Sequence, residues 1–254
     1  MRVWRYIPLI AVAGMLAAGL TAQAAETGCQ LQNRSEELAA VQKNPLSDYW
    51  SQIRAEVAAR RKLLAATIDC ATSEVQSLRS NLKNTPAQSP EAAALKANAI
   101  QKLDRAEEYY RSRRTEANTT GLRGNQELAQ SIREWRQTNY APLAQRTTNL
   151  IFWLASQDLF QTAQSRLDQI RNTIQISKLI QDEEVQNQFR ATEKIFGEAQ
   201  GFNNQAREVF EREGPPEEAL VKTKSALESL NRTYRGFLEL SEGVNKLVNP
   251  PEKK

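Results

Sequence analysis

Residues 47–82 read SDYWSQIRAEVAARRKLLAATIDCATSEVQSLRSNL. Trp50, Ile53, Val57, Leu64, Ile68, Ala71, Val75, Leu78 and Leu82 advance by threes and fours, with Arg60 filling one stripe position. Such steps put the apolar groups on one side of a helix and charges on the other. Ser47 is placed to cap it, and the spacing is that of a coiled coil with a small stutter near Leu64. One helix of this length cannot bury its own stripe, so the rest of the chain must supply partners.

The sequence after it supplies them. Ser89-Pro90-Glu91 is a start signal: a cap, a proline at the first helical position and an acid in the first turn. Leu95, Ala99, Leu103, Ala106, Tyr110, Arg113 and Ala117 form the second stripe. The short connection around Pro86 makes the two helices antiparallel neighbours. Asn118 to Gly124 breaks the pattern, giving a sub-boundary at 118–125. A third helix follows from about Asn125, and Pro142 kinks or restarts it. Residues 143–196 contain no glycine or proline, but the stripe Phe160, Ala163, Leu167, Ile170, Ile174 changes phase before Val185. A turn is expected at 177–183, with Asp182 capping the next helix. Gly214-Pro215-Pro216 ends that helix, and a last one runs to Asn249-Pro250-Pro251. No stretch alternates as a strand does. The expected fold is all-α: about six helices in an elongated antiparallel bundle over 47–248. A short helix lies in an N-terminal arm at 25–46, and the tail at 249–254 is disordered.

The first 24 residues carry an address. Arg2 and Arg5 precede the mostly apolar stretch Ile7 to Leu20, and Ala22-Gln23-Ala24 offers small residues for cleavage. The reading is a signal peptide over 1–24 and an exported chain, periplasmic or secreted. Tyr6 to Ala25 is long enough to span a bilayer, so membrane anchoring follows only if the signal stays uncleaved. Cys29 follows Glu26-Thr27-Gly28, the wrong context for a lipid anchor.

Composition removes several classes of function. The chain has 34 basic and 30 acidic residues. Taking away Arg2 and Arg5 with the signal leaves a net of +2, which invites no nucleic acid. Histidine is absent, and with it the histidine triads and the usual zinc sites. Asp182-Glu183-Glu184 reads as a helix N-terminus rather than a calcium loop. No phosphate-binding or dinucleotide motif occurs. Neither catalysis nor a cofactor is expected. In an oxidising compartment, Cys29 and Cys70 are expected to form a disulfide.

Two places invite a functional reading. Leu150, Ile151, Phe152, Trp153 and Leu154 wrap more than a full turn, too much apolar surface for one packing partner. They form either a partner surface or the centre of the bundle. The second place comes from pairing the first two helices about residue 87, where facing numbers total 174. Arg60 then meets Arg113 or Arg114, and Arg60, Arg61, Arg113, Tyr109 and Tyr110 frame a candidate anion site. The alternative is arginine stems packing with their heads in water. The functional expectation is a non-enzymatic protein that binds a protein partner or its own copy in the cell envelope, as adaptor or scaffold. A holdase chaperone and a helical sensor of a small anion are the alternatives.

Overall fold

The computed structural model describes residues 31–44, 48–176 and 182–248. Residues 1–24, on which the signal-peptide expectation falls, lie outside them, as do Cys29 and residues 249–254. Of the described residues 92% are helical, and none is in a strand. The helices are α1 (Leu31–Lys43), α2 (Tyr49–Asn84), α3 (Pro90–Ala117), α4 (Leu122–Trp135), α5 (Ala141–Ile176), α6 (Glu183–Glu211) and α7 (Pro216–Val248). A π-helical turn, Arg136–Tyr140, joins α4 to α5 without a break, so the seven segments make six rods.

Local signals set most helix starts. Asp48 caps α2, accepting from the Ser51 amide at 2.8 Å, one residue after the expected Ser47. Ser89 Oγ accepts from Ala92 N at 3.1 Å, and Asp182 Oδ1 from Val185 N at 2.9 Å. The third helix begins at Leu122, earlier than expected, behind Gly121. Pro142 neither stops nor restarts it. In an α-ladder its missing N–H would leave the Thr138 carbonyl unbonded and its ring would press on that oxygen. The wider π turn takes up this fault: Ala141 N–H donates to the Arg136 carbonyl, five residues back.

Two cores run along the molecule. The first gathers Ile68, Val75 and Leu82 of α2, Leu103 and Tyr110 of α3, Leu128 and Ile132 of α4, and Leu150 and Leu154 of α5. The second gathers Phe160, Leu167 and Ile174 of α5 with Phe189 and Phe196 of α6 and Leu230, Phe237 and Leu240 of α7. Each large side chain so buried is worth about 1.5–3 kcal/mol before entropy is charged against it. Because α5 enters both cores, it joins them. The break at 118–121 falls within the first core, since Ala117 and Leu128 on either side both belong to it.

The α2–α3 register differs from the expected one. Asp69–Arg114, Gln76–Glu107 and Arg79–Asp104 are cross-pairs whose numbers total 183, not 174. The cause lies in the connection. Thr85 and Ser89, the two ends of the connection, are both extended. The chain therefore runs on past the end of α2 before turning back. The first turns of α3 then overhang that end, where Lys96 Nζ donates to the Lys83 and Thr85 carbonyls at 2.7 and 2.6 Å.

At the other end, Arg61 Nε donates to the Thr120 carbonyl at 2.7 Å, placing the α3–α4 loop beside residue 61. The turns of α2 before it project beyond that loop, with α1 antiparallel alongside. Gln52 Nε2 reaches the Val41 carbonyl at 2.9 Å, and Lys62 pairs with Glu37. No residue of α1 is fully buried.

Candidate functional site

The apolar turn in α5 is mostly core. Leu150, Trp153 and Leu154 are 3%, 2% and 1% exposed, while Ile151 and Phe152 are half-buried. Trp153 lies where the α6–α7 hairpin meets the first core, its ring 5.8 Å from that of Phe210. Its Nε1 donates to Asn203 Oδ1 at 2.8 Å. A partner surface needs Phe152 or Trp153 substantially exposed, and neither is. This corrects the partner-surface reading of Leu150–Leu154. The physical reason is that helices close on this turn from several sides.

The arginine layer is rearranged by the register. Arg60 does not face Arg113. It is held by Glu56, one turn before it on α2, with Nη2 at 2.6 Å. Arg61 is spent on the Thr120 carbonyl. Arg113 pairs with Glu116 at 2.6 Å and lies 5.1 Å over the Tyr109 ring. The expected site is therefore split: Arg113, Tyr109 and Tyr110 stay together on α3, and Arg60 and Arg61 are removed from them.

What joins the α3 group was not foreseen. Trp135 stacks on Tyr109 with ring centroids 3.8 Å apart and planes 13° from parallel. Tyr110 meets Trp135 and Tyr140 edge-on at 5.3 and 5.9 Å. Arg136 lies 5.2 Å over the Tyr140 ring and bonds Glu74 of α2 at 2.7 Å. These rings clasp α3 to the π turn, and each aromatic pair adds about 0.5–1.5 kcal/mol beyond area burial. Both arginines in the clasp already have a carboxylate and a ring face. The Tyr110 and Tyr140 hydroxyls are buried and make no well-formed hydrogen bond, Tyr110 lying near the Arg136 guanidinium and Tyr140 near the Glu74 carboxylate. Burial pushes both phenols above their ordinary pKa, most strongly Tyr140.

Cys70 is half-buried on α2. Its expected partner, Cys29, lies outside the described residues. Among the described residues no cluster of acids and cysteines is arranged to hold a metal ion. No helix among them is long and apolar enough to cross a membrane.

One surface was misread in the sequence. Trp50 opens the α2 stripe and Tyr49 precedes it, yet they are 66% and 71% exposed. Their rings meet edge-on at 5.5 Å at the free end of the α1–α2 projection. Periodicity assigned Trp50 to the buried face of α2, but in this end turn that face meets no third helix among the described residues.

Compared with protein-family models, curated proteins and solved structures, the chain matches none.

Proposed function

We propose that this is an exported, non-enzymatic helical protein that works by protein–protein contact in the cell envelope, as an adaptor or scaffold. The observation that supports this best is the exposed Tyr49–Trp50 pair. Tyrosine and tryptophan are the side chains most often found as interface anchors, and large apolar groups at a free end are poor ornaments for a monomer. The absence of histidine and of any catalytic motif in the sequence is consistent with the non-enzymatic reading. Export rests on the signal-like residues 1–24.

The test is cross-linking in intact cells from a photoreactive residue at position 50, followed by identification of what is captured. One stoichiometric partner, lost in Trp50→Ala, supports the adaptor. Many weak clients would move the reading to a holdase chaperone. Capture of nothing from position 50, under conditions where the protein is present at normal levels, rejects the surface. The anion-sensor reading keeps Arg113, Tyr109 and Tyr110 in one place, but Glu116 already answers the Arg113 charge.

A further inference from the structure

We draw no further inference here: the strongest candidate, the exposed Tyr49–Trp50 pair at the free end of the α1–α2 projection, belongs to the surface already proposed for protein contact, and nothing in the structure shows what covers it.

Discussion

The indole of Trp153 donates to the side-chain carbonyl of Asn203, 50 residues away, at 2.8 Å. This bond ties α5 to α6 next to the first core. It decides what a mutation of the apolar turn will do. Trp153→Ala removes a large buried ring and one of the two donors to Asn203 Oδ1, Gln157 Nε2 at 3.0 Å being the other, and should destabilise the protein by about 3–5 kcal/mol. Self-association and partner capture should be unchanged in whatever fraction stays folded. Denaturant unfolding alongside light scattering checks both. A mild loss of stability with lost association would return the turn to the surface.

Gly236 should resist replacement. A Cβ there would lie 2.4 Å from Thr192 Oγ1 and 2.8 Å from its Cγ2. Helix propensity alone favours alanine by about 1 kcal/mol. Overpacking a closed seam costs about 1–3 kcal/mol, so the steric effect wins. Gly236→Ala is expected to lower stability, and Thr192→Ala in the same chain should recover part of the loss. Additive effects in that double-mutant cycle would mean the two residues do not meet.

Tyr140→Phe should be close to neutral, within about 1 kcal/mol, because the buried hydroxyl makes no well-formed hydrogen bond and has only the Glu74 carboxylate nearby. The pH dependence follows with a definite sign. Burial raises the Tyr110 and Tyr140 pKa values above the ordinary 10.0, so the folded state keeps protons that the unfolded state gives up. Their contribution is fully present below pH 10 and is lost as pH climbs through the folded values. Absorbance titration of the phenols should show a late-titrating group that disappears in Tyr140→Phe, together with a fall in melting temperature above pH 10.

The two cysteines of the chain are Cys29 and Cys70, and Cys29 lies outside the described residues. We expect one Cys29–Cys70 bond in protein from an oxidising compartment. It would close a loop of about 40 residues and stabilise by roughly 2–4 kcal/mol. Labelling of denatured, unreduced protein should find no free thiol, and reduction should free α1 before the bundle melts. Two free thiols in exported protein would defeat this.

Helix starts and the change of phase between α5 and α6 were legible because their causes are local. Ser89-Pro90 and Asp182 act within four residues of themselves. Register was not legible. It depended on the path of the connection from Thr85 to Ser89, which leaves no mark on either stripe, and that shift parted Arg60 from Arg113. Periodicity also names the face of a helix without saying whether anything meets it. Hence Trp50 read as core and is exposed, while Trp153, in a run suited to either role, is core. Trp135 and Tyr140 completed the clasp from positions that no spacing rule connects to Tyr109, because the π turn re-phases the helix between them.

That π turn also governs where the chain can change length. A π turn holds one residue more than an α-helix of the same phase would need. Elsewhere in the rod from Leu122 to Ile176, losing one residue would swing every later side chain by about 100° and turn one core out to water. Loss of exposed Thr138 would keep the phase of α5 but return Pro142 to an α-ladder, at a cost of about 3 kcal/mol. The extra residue thus holds the rod's phase and houses its proline at once, so a deletion there exchanges a lost core for a misplaced proline.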